Sequence, residues 1–299
     1  MVQHCKACAA SILLVAGLVA FLGGRVTWAQ SYIYDRADFP VGSQPAAVIL
    51  ADFNGDGRLD LAVANDADNT VSILLGAPGA TFGPQTTYPA GSNPTGLVAG
   101  DFNGDGKLDL AVMNSCGDCT VSPNTVTILL GNGDGTFQTS GNYATGGGSI
   151  GIVAADFNGD GKLDLALANE VDSTMSILLG NGDGTFQPQT TVAVGRRPYW
   201  LAMGDFNNDG KVDLVTLNIG AGSVSVLLSK GNGTFTRVDS PSGPGSGPSL
   251  GALTVGDFNG DGNLDVVVAS MATNSTSYWG MATEASRLQQ LLSILPRMH

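Results

Sequence analysis

Asp101, Phe102, Asn103, Gly104, Asp105, Gly106, Lys107, Leu108 and Asp109 form a nonapeptide whose pattern returns at residues 52–60, 156–164, 205–213 and 257–265. The five starts lie 49 to 55 residues apart, a period that marks one supersecondary unit repeated along a single domain. Around the second copy the unit reads as four short β-type runs, at 96–100, 108–113, 125–130 and from Phe137 to about Thr145. The turn Gly131-Asn132-Gly133-Asp134-Gly135 joins the last two, as a hairpin signal should. Four strands per unit is the count of a propeller blade. The sequence therefore predicts an all-β fold, a β-propeller with about five blades visible and the last one incomplete, and it places each nonapeptide between the first and second strands of its blade.

The nonapeptides carry oxygen-bearing side chains at positions 1, 3, 5 and 9. These are Asp52, Asn54, Asp56 and Asp60 in the first copy, then Asp101, Asn103, Asp105 and Asp109 in the second. The third has Asp156, Asn158, Asp160 and Asp164; the fourth Asp205, Asn207, Asp209 and Asp213; the fifth Asp257, Asn259, Asp261 and Asp265. Glycine at position 6 permits a sharp turn, and the carbonyl at position 7, of Arg58, Lys107, Lys162, Lys211 or Asn263, adds a further oxygen. Such a set converges on a hard cation, and Ca²⁺ in about five sites is the expectation: Mg²⁺ demands a tighter octahedron, and no His or Cys stands in the loops to draw zinc. An EF-hand would need Glu at position 12, where Val63, Val112, Leu167, Thr216 and Val268 stand instead. The plainer alternative is that the Asp, Asn and Gly residues only form tight turns.

These loops resemble the calcium loops of the FG-GAP and VCBS repeat families, propeller repeats of integrin alpha subunits and of many bacterial secreted proteins. The resemblance runs over residues 31–276 and implies calcium held by the loops. Members of those families are typically seven-bladed, so five copies are a departure.

The net charge of −13 argues against a nucleic-acid partner. Fifteen of the 26 acids sit in the five loops, so the charge is concentrated in the expected sites. Residues 1–29, with Lys6, an apolar run over 9–23 and Thr27-Trp28-Ala29, read as a signal peptide, which predicts a secreted, periplasmic or cell-surface protein without membrane insertion after cleavage. Of four cysteines, Cys5 and Cys8 would leave with the signal, and Cys116 and Cys119 are expected to form a small disulfide clip rather than a redox pair.

The repeat is expected over residues 30–276. Phe39 to Pro45 parallels Tyr88 to Pro94, so the mature chain should begin with a fourth strand lacking its own first three. Residues 277–299 leave the pattern. Read one base over, the codons of residues 278–289 permit Leu-Gly-Asn-Gly-Asp-Gly-Ser-Phe-Gln, so this tail is expected to be out of frame, leaving the fifth blade without its third strand. A helix on Leu288, Leu291, Leu292 and Leu295 is the alternative.

No enzyme is expected. The histidines are His4 and His299, at the two extremes of the chain, so no Ser-His or Cys-His pair can be built. The function expected is a secreted calcium-binding propeller acting as a binding, adhesion or structural display module. The alternative is an extracellular carbohydrate-active enzyme or its substrate-binding propeller. The candidate ligand site is Arg196, Arg197, Tyr199 and Trp200. Trp200 stands where the other units have Ala47, Gly96, Gly151 and Ala252, and it either anchors a protein or glycan or plugs the centre of the ring.

Overall fold

The runs after each nonapeptide are apolar on both alternations, as in Leu110-Ala111-Val112-Met113, and such strands must be buried on two faces. The computed structural model describes residues 36–115, 124–240, 250–270 and 275–280. Residues 1–29, Cys116 and Cys119, and the tail after 280 lie outside the described residues.

The first sheet contains β1 (Pro45–Ala51), β2 (Asp60–Asn65), β3 (Thr70–Leu74) and β6 (Thr86–Pro89), with the hairpin arms β4 (Gly76–Ala77) and β5 (Thr81–Phe82) between the last two. The second contains β7 (Pro94–Gly100), β8 (Asp109–Asn114), β9 (Thr125–Gly131) and β10 (Phe137–Ala144), and the third β11 (Ser149–Ala155), β12 (Asp164–Asn169), β13 (Thr174–Leu178) and β14 (Thr190–Ala193). The fourth contains β15 (Pro198–Gly204), β16 (Asp213–Asn218), β17 (Ser223–Ser229) and β18 (Phe235–Asp239). The fifth contains β19 (Leu250–Gly256), β20 (Asp265–Ser270) and β21 (Ser275–Gly280). Every sheet is an antiparallel meander, and each acidic nonapeptide links the first strand to the second, as expected.

First strands pack on first strands in succession, β1 on β7, β7 on β11, β11 on β15 and β15 on β19, while fourth strands meet far more sparsely, β6 and β10 the most. The sheets therefore splay outward from an inner edge, which is the arrangement of propeller blades. The core is divided accordingly. Each apolar cluster lies between two sheets: Leu110 and Val112 join Ala62 and Ala64, while Ala111 and Met113, on the opposite face of β8, join Leu165 and Leu167. One strand thus serves two cores, the geometric reason for its unbroken apolar run.

Inside each of the first four sheets a buried polar chain crosses the strands. Asn65 Nδ2 donates to Ser72 Oγ (2.8 Å), which donates to Gln85 (2.6 Å). Asn114, Thr127 and Asn142, then Asn169, Ser176 and Gln189, then Asn218, Ser225 and Asp239, repeat it.

Two expectations about the ends change. The fourth strand expected around Phe39 is not formed; residues 36–42 are irregular, because among the described residues no third strand lies beside them to complete a ladder. The third strand of the fifth sheet, expected to be lost, is present as β21, with Ser277 opposite Val268 in the register that sets Ser72 opposite Val63. The boundary at 276 falls inside that strand.

The chain divides into the units Met1–Asp38 and Phe39–His299. In the described part of the first, Arg36 pairs with Asp38 at 2.9 Å on the surface.

Candidate metal centre

Each acidic loop closes on itself through its position-1 aspartate. Asp101 Oδ1 accepts the N–H groups of Gly104 (2.7 Å) and Asp105 (3.1 Å), and Oδ2 accepts that of Gly106 (2.9 Å). Asn103 Oδ1 also accepts the Asp105 N–H. Asp52, Asp156, Asp205 and Asp257 fold their loops in the same manner. The wrap needs left-handed backbone at positions 4 and 6, where Gly104 has φ 75° and Gly106 φ 81°. In the fourth loop Asn208 takes position 4 at φ 57°, the non-glycine type best suited to that region.

Position 9 is a different kind of acid. Asp60, Asp109, Asp164 and Asp213 are fully buried, each at the first residue of a second strand. Asp164 Oδ2 accepts the Phe157 N–H (2.9 Å) of its own loop, and Oδ1 accepts the Gly180 N–H (2.8 Å) of the hairpin in the same blade. Burial pushes its pKa up from 3.8 to about 6, opposed by those two N–H groups and assisted by the like charges of Asp160 and Asp156. Asp109 and Asp213 are raised for the same reasons.

At position 5, Asp56, Asp209 and Asp261 shift the opposite way. The Arg58 backbone N–H holds Asp56 below the usual carboxylate value, and the Lys211 ammonium at 2.9 Å does so for Asp209. The position-7 side chains of Arg58, Lys107 and Lys162 likewise reach the position-5 acids, at 2.6, 3.6 and 4.0 Å, and Asn263 donates to Asp261 at 2.8 Å. Position 7 was singled out for its carbonyl; its side chain turns out to balance the position-5 charge.

The donor set, three carboxylates and an amide oxygen without imidazole or thiolate, fits a hard divalent cation. The carboxylates at 1 and 5 that raise the position-9 acids are charges a cation would offset. No three of the acidic side chains form a ready cage among the described residues; the position-1 and position-9 oxygens face backbone N–H groups.

Sequence reasoning missed the residue between the acids. Phe53, Phe102, Phe157 and Phe206, at position 2, are 1–2% exposed and sit in the clusters between sheets. The Phe53 carbonyl accepts the N–H of Gly135 in the next sheet's hairpin (3.2 Å), and its ring meets Phe137 edge-on at 5.5 Å. Phe102 does the same with Gly184 and Phe186, and Phe157 with Gly233 and Phe235. The recurrent Thr-Phe ending of the hairpins, at Phe82, Phe137, Phe186 and Phe235, was the available signal. The acidic loops are thus joints between blades as well as loops.

The four candidate ligand residues separate. Arg197 lies in left-handed backbone (φ 53°) before β15, where Gln44 and Asn93 take the same conformation, and its guanidinium pairs with Glu170 in the turn between β12 and β13. It is a turn residue. Arg196 is exposed. Tyr199 and Trp200 are 43% and 42% exposed. A regular strand would send these neighbours to opposite faces, but a bulge between Pro198 and Trp200 interrupts the alternation. Their rings lie 6.3 Å apart.

No helix among the described residues is long and apolar enough to cross a membrane. Comparison with curated proteins finds no match. Among solved structures, a functionally unknown protein from Desulfotomaculum acetoxidans is similar over 80% of this chain and 69% of its own, at 12% identity and a TM-score of 0.55. A protein from Lactobacillus plantarum is similar over 80% and 71%, at 12% identity and a TM-score of 0.56. These likenesses concern the fold. The sequence profile of the FG-GAP-like repeat matches four times, at residues 52–112, 119–167, 156–216 and 205–268, each match beginning at or running into an acidic loop. The chain belongs to the FG-GAP-like repeat family.

Proposed function

We propose that this chain is an exported propeller whose acidic loops bind Ca²⁺ and hold its blades together, and whose non-catalytic task is to bind a protein or a glycan. The observation that carries the calcium reading is the position-9 aspartate, buried beside two like charges in one loop after another. When bound, Ca²⁺ supplies charge compensation and oxygen coordination. The chain supplies the wrapped loop, the buried anchor at the head of each second strand, and the position-2 carbonyl that ties the loop to the next hairpin.

Titrating chelator-treated protein with Ca²⁺ in a calorimeter, with melts in parallel, tests the reading. The expected result is uptake at several sites and a rise in Tm, each site contributing about 2.7 kcal/mol when the free ion stands a hundredfold above Kd. No heat and an unchanged melt overturn it. Tyr199 and Trp200 are the proposed contact for the ligand, because large aromatics half-open to solvent suit both protein and sugar faces.

A further inference from the structure

Every internal joint of the chain is built alike. On the leading side of a sheet the inner strand sends residues into the cluster shared with the sheet before it: Leu97 and Ala99, Ile152 and Ala154, Leu201, then Leu253 and Val255. The position-8 residue packs there too, as Leu108, Leu163, Val212 or Leu264. Leu163 comes within 2.6 Å of where a Cβ on Gly100 would stand, and Leu264 within 2.4 Å of the same point on Gly204. On the trailing side the inner strands offer Ile49, Val98, Val153 and Ala202 to the next cluster.

At the two ends of the series these halves lie more open to solvent. On the leading side of the first sheet Val48, Leu50 and Leu59 are 44%, 52% and 59% exposed. Leu50 and Leu59 line an open hollow of about 450 Å³ with Arg58 and the hairpin of residues 76–82. On the trailing side of the fifth sheet Thr254 is exposed where its counterparts pack, and Phe258 is 52% exposed against 1–2% for the other position-2 rings. Inner strands pack in order from β1 to β19, and among the described residues no comparable packing joins β19 to β1.

Phe39 says what belongs on the leading side. Its ring meets Phe82 edge-on at 5.2 Å, as Tyr88 of β6 meets Phe137 at 5.5 Å and Tyr143 of β10 meets Phe186 at 5.4 Å. Tyr88 and Tyr143 belong to the fourth strand of the preceding blade, so Phe39 occupies the place of a fourth strand whose first three are not found among the described residues before it. The fifth sheet has three strands among the described residues.

We propose that the leading face of the first sheet docks on the trailing face of the fifth sheet of a second copy of this chain, head to tail, with the Phe39 segment completing that three-stranded blade. The contact repeats the internal joint: Leu59 comes to Gly256, and Phe258 to Phe82 and the N–H of Ala80. Ala80 already holds the left-handed backbone (φ 55°) of its counterpart Gly135 (φ 82°). Such a heterologous contact leaves one free head and one free tail at each step, so it builds rings or filaments.

The test uses the full chain in Ca²⁺, by size exclusion with light scattering at tens of micromolar. Leu59→Asp spoils the head and Thr254→Arg the tail; both residues are exposed in the single chain, so each variant should keep the wild-type melt. The wild type should show the mass of two or more chains, and each variant alone that of one. An equimolar mixture should return to two chains and no more, because one good tail still meets one good head. A wild type at the mass of one chain, which is also what closure on its own fifth sheet or cover by residues 281–299 would give, overturns the proposal. So does a mixture that stays at one. Should Thr254→Arg lose its melt, Gly256→Arg serves as the tail variant.

Discussion

The acidic loops and the inner strand of the fourth sheet carry different kinds of information. The loops repeat in composition and hydrogen bonding, the first four bury their phenylalanine, and the first three tie to the next blade's hairpin through it. β15 shares its register and bulge with the other inner strands, yet it alone sets two aromatics on that bulge, half-open to water. Repetition marks what every blade needs to stand. The exception marks where one blade departs from its neighbours.

Substitutions should separate the two regions, and the largest effect belongs to the loops. Asp164→Ala leaves the Phe157 and Gly180 N–H groups without their buried acceptor and should cost about 2–4 kcal/mol in urea denaturation. Asp160→Ala, at an exposed position, should shift the metal-free curve far less while weakening Ca²⁺ uptake in calorimetry.

Acidity gives the next effect. The folded Asp164 holds a proton up to about pH 6, whereas the unfolded chain releases it near 3.8, so that stabilisation is full at low pH and lost as pH rises through 6. Chelated protein should therefore lose part of its stability over that window, and Asp164→Asn, which cannot ionise, should lessen the slope in melts taken across it. Added Ca²⁺ should restore stability at the upper end.

In the fourth sheet the order reverses. Trp200→Ala should change stability by about 1 kcal/mol or less, yet abolish retention of whichever protein or glycan the wild type captures on an array. Arg197→Ala should have the smallest effect, about 0.2–1 kcal/mol, because its pair with Glu170 is solvent-exposed, and it should leave capture intact. Equal loss of capture in both variants would place recognition on the charged turn rather than the aromatic pair.

The blades, their strand order and the position of the acidic loops were legible because each is a local pattern, repeated. Gly104 and Gly106 announce a turn wherever they occur, and 110–113 announces a strand. The roles of Phe53 and Phe137 were not legible, since their contact joins residues 84 apart in the sequence, on different blades. Nor was the polar chain from Asn65 to Gln85, although an asparagine closes the second strand in four sheets and could have been found by aligning the copies. Tyr199 and Trp200 could be named from sequence; the bulge between Pro198 and Trp200 that interrupts their alternation is something residue types alone do not announce. At the C-terminal end the unfamiliar run Ser-Thr-Ser-Tyr-Trp-Gly hid a strand that backbone pairing with β20 makes plain.

The split core has a consequence for how such a chain can change length. Apolar clusters span two sheets, whereas each polar chain from asparagine through hydroxyl to the outer strand closes within one. Inserting or deleting a whole repeat of about fifty residues leaves every buried amide with its hydroxyl and every cluster with two contributors. Removing half a repeat breaks both. Tandem duplication should therefore be tolerated only in integral steps, and the size of a protein built this way is quantised.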